Sequence, residues 1–341
     1  IDFSIVAAAL STEDLFHFDM NMIISQFLDT IEAAGQKIQI PSNVTLPKQK
    51  ENYFIGVTLD KPKYRVYFNT PGQKKVFASR GTFPFKKVVG ELRAGKQFSE
   101  LMNFFTIYGG SIRDVSIESK NQTLDIPITD LTFSQKRNVK STHVGKDESL
   151  MGAAFTQMNG VYIPSDIKNF VAGAANSLTV MDGPSKVLSV LKRTKELNTL
   201  KGISRLSVVL SDFTDGVSPH HLPIMEDPRI MSPNTVKVQK ITSVENVREV
   251  MTYAAMSKVK KEKRDGLLYE TLTPIWEVYA PSWVDAIEIP NWPGESIPTG
   301  GMRWSVSVAG SLGSSKVDQG LDLGPSVLQN VTHVTNSAAD F

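Results

Sequence analysis

Residues 302–309 read Met-Arg-Trp-Ser-Val-Ser-Val-Ala. Successive side chains of an extended strand point to opposite sides. Met302, Trp304, Val306 and Val308 therefore share one face, and Arg303, Ser305 and Ser307 the other. This period of two predicts a strand with one buried face. The same period governs 52–59, through Tyr53, Ile55, Val57 and Leu59. Asp60–Lys63 turns the chain, and Tyr64, Val66 and Phe68 continue beyond it, so a β-hairpin is expected there. Further strands are expected at Lys75–Thr82, 111–118, 123–133, 203–213 and 235–241. Pro127 marks an edge or a bulge within 123–133.

Other stretches carry a helical period. After a Ser11/Asp14 capping pair, Leu15, Phe16, Met20, Ile23, Ile24, Phe27, Leu28 and Ile31 line one broad face, and Gly35 is a natural stop. This predicts a helix over 12–34. Helices are also expected at about 85–107, at 166–178 after Ser165 and Asp166, and from Pro184 to Gly202 along Val187, Leu188, Leu191 and Leu197. Thr242 and Glu245 have capping-box spacing ahead of Val244, Val247, Met251 and Ala254, which predicts a helix to about 262.

Strands and helices do not alternate regularly, so the expected fold class is α+β: mainly antiparallel β-sheets with several packed helices, an N-terminal helical arm and an extended C-terminal tail. The parts are an amphipathic arm (1–35), a β-rich domain with one helical segment (36–133), a polar basic loop or linker (134–149), a second α+β domain (150–312) and an extended arm (313–341). The expected core holds Ile55, Val57, Val66, Phe68, Leu101, Phe104, Leu188, Leu191, Leu206, Val208, Val247, Met251, Trp304 and Val306.

Composition narrows the chemistry. In 341 residues there is no cysteine, which removes disulfides, thiolate metal sites and cysteine nucleophiles together. No apolar run reaches the roughly 18–20 residues that span a bilayer, and Ile5–Leu10, with no basic residue before it, makes a poor secretion signal. Net charge is +2, but residues 1–35 hold six acids (Asp2, Glu13, Asp14, Asp19, Asp29 and Glu32) and no Lys or Arg, so the rest of the chain carries +8.

Catalytic signatures are missing: no phosphate-binding glycine loop, no nucleophile elbow, no His-Glu-x-x-His. Ser165–Lys168 and Ser257–Lys260 both fit Ser-x-x-Lys, and neither has the companion motifs of an acyl-transfer site. His220 and His221 lie near Asp212, Asp215, Glu226 and Asp227, but Pro219, Pro223 and Pro228 around them predict a solvated surface connection. No catalytic residue, metal ligand or cofactor is assigned. Trp276, Tyr279, Trp283, Trp292 and Trp304 fall within 29 residues, the pattern of core or interface anchors.

Two basic segments are candidate contacts for phosphates or an acidic partner: Lys136, Arg137, Lys140 and Lys146, and the denser run Lys258, Lys260, Lys261, Lys263 and Arg264. At the end of the expected helix that second run would also be explained by the helix dipole. The tail from 313 is rich in Gly, Ser and Asn. Its apolar residues, among them Leu321, Leu323, Val327, Leu328, Val331, Val334 and Phe341, suit an arm laid on another subunit.

The expected function is a structural subunit of a large assembly, a viral coat or other virion protein, that associates with copies of itself through its terminal arms. Its location would be the virion or an intracellular assembly. Two alternatives are a nucleoprotein-type subunit holding nucleic acid non-specifically through 134–149 and 258–264, and an enzyme whose site is assembled from dispersed residues.

Overall fold

The strand expected at 302–309 exists and is longer, running Met302–Leu312, and the described residues are mostly in antiparallel strands. The computed structural model describes residues 2–8, 31–33, 36–38, 56–59, 71–94, 101–118, 131–140, 144–158, 161–171, 173–193, 205–242, 244, 246–264, 267–290, 300–312 and 331–341. Of 2–8, 31–33, 36–38, 56–59, 261–264 and 267–272 only the backbone is described.

A first sheet has the order β4 (Gly56–Leu59), β1 (Asp2–Ala8), β5 (Gly72–Thr82), β6 (Thr106–Ile117), β7 (Leu131–Thr132). Helix α1 (Phe85–Arg93) follows Pro84 and buries Val88 and Val89, and Phe83, Val88, Leu101, Ile107 and Phe133 form one cluster. Two short strands, β2 (Ile31–Ala33) and β3 (Gln36–Ile38), pair with each other.

The main body is an eight-stranded sheet. Its order is β10 (Val161–Phe170), β9 (Glu148–Met158), β12 (Ser185–Arg193), β13 (Leu206–Asp212), β20 (His333–Asp340), β19 (Met302–Leu312), β16 (Val247–Arg264), β17 (Leu267–Ala280). A two-stranded sheet, β8 (Gln135–Lys140) with β11 (Ala175–Val180), and a three-stranded one, β14 (Arg229–Ser232), β15 (Thr235–Lys237), β18 (Ala286–Glu288), accompany it. Val139, Leu178 and Val180 of the first share a cluster with Val187, Leu191 and Phe213. Val236 and Ile287 of the second pack with Trp304, Val306 and Val308. The opposite face is also buried, through Leu188, Val190, Leu206, Val208 and Leu210 and through Val250, Met251 and Ala309.

This double burial corrects the α+β expectation. Among the described residues there is one α-helix, of nine residues, and no set of packed helices. Residues 184–202 were expected to be helical on Val187, Leu188 and Leu191. In β12, Val187, Leu188, Val190 and Leu191 are all buried, because a strand covered on both faces needs apolar residues at successive positions. Such a run cannot be told from a helical stripe by period alone. The same cause makes a strand, β16 (Val247–Arg264), where a helix to about 262 was expected; Val247, Val250, Met251, Ala254, Ala255 and Met256 are buried in it.

The expected helix 166–178 is instead β10, a turn and β11. Buried Asp166 sits at a bulge and ties the two strands by accepting the Ile167 N–H (2.9 Å) and the Thr179 N–H (2.8 Å). The helix expected to 107 ends by Arg93, and a single 3₁₀ turn (Met102–Phe104) precedes β6. Most of the N-terminal helical arm, 12–34, lies outside the described residues. Residues 2–8 form a strand interior to the first sheet, and 31–33 are a strand.

The extended C-terminal tail is corrected too. His333–Asp340 is an interior strand of the chain's own main sheet, hydrogen-bonded to β13 on one side and β19 on the other. A sheet position supplies backbone partners for small polar residues that bury little apolar surface. Arg303, 2% exposed, fixes the strand's end through Nε to Asp340 Oδ1 (2.6 Å) and Nη2 to Oδ2 (3.2 Å).

Candidate functional site

Three regions of the main sheet bear on function: a polar seam at its centre, the strand at one end, and the hairpin that runs past it.

The seam is built by β20. His333, Thr335 and Ser337 alternate along the strand and share a face. Each holds a backbone carbonyl of the segment 220–226, which lies across that face. His333 Nε2 donates to His220 O (2.9 Å), the Thr335 hydroxyl reaches Pro223 O (2.9 Å), and Ser337 donates to Glu226 O (2.8 Å). The Thr332 hydroxyl accepts from the Leu312 N–H (2.7 Å) and donates to His333 Nδ1 (2.7 Å), which sets the Nε2-H tautomer. His221 Nε2 meets Ser189 O at 3.2 Å, and its Nδ1 is buried without a hydrogen-bond partner. Burial lowers the His221 pKa to about 4 and also lowers that of His333.

The histidine pair was expected on a solvated connection. The structure places His220 at the surface and turns His221 into the sheet. A cleft of about 270 Å³ beside the seam is lined by Ser211, Ser218, His220, Asn246, Leu312 and His333, among others. Both nitrogens of His333 are already engaged, so it is not a free base there. Nearby carboxylates are also committed. Asp212 pairs with Lys186 (2.6 Å), Asp215 accepts from Asn138, and Glu226 and Asp227 pair with Arg205. Among the described residues no cluster of three or more His, Asp or Glu side chains suits a metal ion.

Ser165, the first residue of one Ser-x-x-Lys match, donates to Ala154 O (3.1 Å), and Lys168 pairs with Asp166 (3.1 Å). That motif is a strand bulge. Trp304 is fully buried, and Trp276 and Trp283 pack against its cluster. The Trp283 indole donates to Ala309 O (2.7 Å) over Gly310, where a Cβ would sit 3.2 Å from the ring and 2.6 Å from Val247 Cγ1. The three tryptophans are core anchors; Trp292 lies outside the described residues.

The candidate basic residues fall in different places. Lys136, Arg137 and Lys140 are on β8, and Lys146 is exposed in the turn before β9. Arg137 is a structural clip, donating to Phe213 O (2.5 Å) and Gly183 O (3.0 Å). Lys258, Lys260, Lys261, Lys263 and Arg264 all lie on β16, and the structure brings these five onto one continuous strand. No helix ends there, so the dipole explanation falls away. Of the candidate arm residues, Leu321, Leu323, Val327 and Leu328 lie outside the described residues. Val331 is buried beside Val250, Val334 packs on the same cluster, and Phe341 packs on the Trp304 cluster.

At the far end of the sheet, β17 pairs with β16 along its full length, and among the described residues no strand pairs with its other edge. Thr273, Pro274, Glu277 and Tyr279 are exposed, Tyr279 by 47%. Tyr279 lies against Tyr253 (centroids 5.0 Å), whose hydroxyl donates to Glu277 (2.5 Å). Burial and this carboxylate raise the Tyr253 pKa well above its ordinary value. Sequence reading passed over this edge. Its signal is the run Leu267–Ala280, which has no Lys or Arg and eight large apolar or aromatic residues.

The chain matches no family of known proteins, no curated protein and no solved structure. No helix among the described residues is long and apolar enough to cross a membrane.

Proposed function

We propose that this chain is a structural subunit that associates with copies of itself, of the kind that builds a coat or other virion assembly. The observation that carries the proposal is the edge of the eight-stranded sheet at β17. An unpaired edge presents a row of backbone N–H and C=O groups to any strand that can pair with it. Natural edges are commonly blunted by lysine, and this one has none over 14 residues. A second β17, antiparallel to the first, would satisfy both edges at once through the same surface on each copy, the geometry of a two-fold interface. Pro274 has no N–H to offer, and the bulge beside Ile275 interrupts the ladder. These features divide the strand into two pairing segments, 267–273 and 275–280.

The mode differs from association through terminal arms. The C-terminal strand is committed to the chain's own sheet, so the contact is made by a sheet edge. Thr273→Lys with Tyr279→Lys places two charges on that edge. Light scattering over a concentration series is the test. The wild-type chain should show a mass that grows with concentration to a dimer or beyond, and the double variant should stay at the mass of one chain. A wild-type chain that remains monomeric at high concentration, or a variant that assembles equally well, would overturn the proposal.

A further inference from the structure

β16 is 18 residues long, but β19 accompanies it only from Val247 to Lys258, which pairs with Met302. The last bond from that side is Val259 N–H to Gly301 O (2.6 Å). Beyond it, among the described residues, Lys260–Arg264 pair with Leu267–Thr271 of β17 alone, in the register Lys260↔Thr271 to Arg264↔Leu267. The distal hairpin is thus a two-stranded ribbon extending past the three-stranded part of the sheet. The composition of β16 changes at the same point. Residues 250–257 contain no charge, and residues 258–264 contain five cations and Glu262 as the lone acid. Lys258 and Lys260 are exposed and two positions apart. In this register Lys261 lies opposite Glu270.

We infer that this ribbon is a nucleic-acid contact, in which Lys258, Lys260, Lys261, Lys263 and Arg264 hold phosphates without reading bases. Three physical points carry the inference. A strand supplies no dipole or orphan carbonyl to account for clustered cations at its end. A two-stranded hairpin is marginal alone in water, so a ligand along it adds stability where the sheet no longer does. A two-stranded ribbon also fits the major groove of duplex DNA, and lysine serves phosphate as a point charge on any strand. Over the basic run the edge of β16 next to β19 has no pairing strand among the described residues, and β17 on the other side carries the self-association edge. One hairpin then presents a copy of the chain on one side and a polyanion on the other. The inference goes beyond the assembly proposal and does not depend on it.

The test is fluorescence anisotropy with a labelled 20-nucleotide mixed-sequence DNA, single-stranded and as duplex, over a salt series. The chain variants are wild type, K258Q/K260Q/K261Q/K263Q, and a control, K86Q/K87Q/K136Q/K140Q, that removes four exposed lysines elsewhere. Each lost phosphate contact lowers the slope of log affinity against log salt by about 0.7 for a single strand and 0.9 for a duplex. The ribbon variant should therefore lose about 2.8 of slope on single strands, with affinity down roughly 100-fold at 0.1 M salt, while the control keeps most of both. The monomeric Thr273→Lys/Tyr279→Lys chain should bind as wild type does, which separates failure of this inference from failure of the assembly proposal. If thermal unfolding shows the ribbon variant destabilised, K258Q/K260Q decides, with about half the slope change. No binding by wild type would overturn the inference, as would an equal loss in the control. So would a ribbon variant that keeps its DNA affinity but no longer self-associates, a result that would assign the cations to an acidic surface of a second copy.

Discussion

The main sheet ends in two edge strands that are treated in opposite ways. β10 is closed. Pro164 offers no N–H, Asp166 is buried at a bulge, and the outward N–H of Asn169 donates to Asn103 Oδ1 (2.8 Å) on the 3₁₀ turn. Just past the strand, Asn176 accepts the Val171 N–H and donates to Val171 O. Side chains from two neighbouring segments, with Pro164 and Asp166 of the strand itself, do the work of a ninth strand. β17 has the same nominal position at the other end; Pro274 and the bulge beside Ile275 break its ladder at one place, but among the described residues no strand covers the rest of its outer edge. A chain that spends several buried polar residues on one edge and none on the other treats the second edge as a contact surface.

The largest expected effect concerns the interior from which both edges hang. Deleting 331–341 removes an interior strand with the Arg303–Asp340 pair and the ties to 220–226. The truncated chain should show no cooperative urea transition by circular dichroism. A sharp transition with the wild-type midpoint would mean that the last strand is dispensable and that the arrangement of the two edges is wrong.

Acid should act next, through the seam. His221 is held neutral in the fold, with a pKa of about 4 against an ordinary 6.5. Below 6.5 the unfolded chain takes up a proton that the folded chain refuses, so stability falls as pH drops through 6.5 to 4 and is flat above. The loss from this group reaches about 3 kcal/mol, with His333 adding in the same direction. Urea midpoints between pH 4 and 8 check this, and His221→Gln should flatten the decline.

At the closed edge, Asp166→Ala should cost about 2–3 kcal/mol, because it leaves the Ile167 and Thr179 N–H groups without their acceptor and removes the ion pair with Lys168. At the open edge, Thr273→Lys with Tyr279→Lys should cost no more than about 1 kcal/mol, most of it from the lost Tyr279–Tyr253 ring contact. Chemical denaturation of both variants breaks the comparison if the two costs are alike.

Much of this pattern was legible in the residues. Met302–Val308 shows its buried face because Ser305 and Ser307 interrupt the apolar run on the other side. Lys75–Thr82, 111–118 and 203–213 were legible for similar reasons. Val187–Leu191 and Val247–Met256 were not, because a strand buried on both faces loses its alternation and imitates a helical stripe. The tail was misread because His333, Thr335 and Ser337 bury little apolar surface; they hold their place by hydrogen bonds to carbonyls more than a hundred residues away. The basic run at 258–264 was visible as charge, but its meaning depended on whether it ended a helix or continued a strand. The open edge was the least legible, since only the pairing order shows which strand comes last.

Hydrogen exchange read by mass spectrometry at two protein concentrations tests the central claim most directly. Peptides covering 267–280 should gain protection as concentration rises, peptides covering 161–170 should be protected equally at both, and Thr273→Lys/Tyr279→Lys should abolish the gain. Exchange over 267–280 that is the same at both concentrations would contradict the assignment of β17 as the self-association edge.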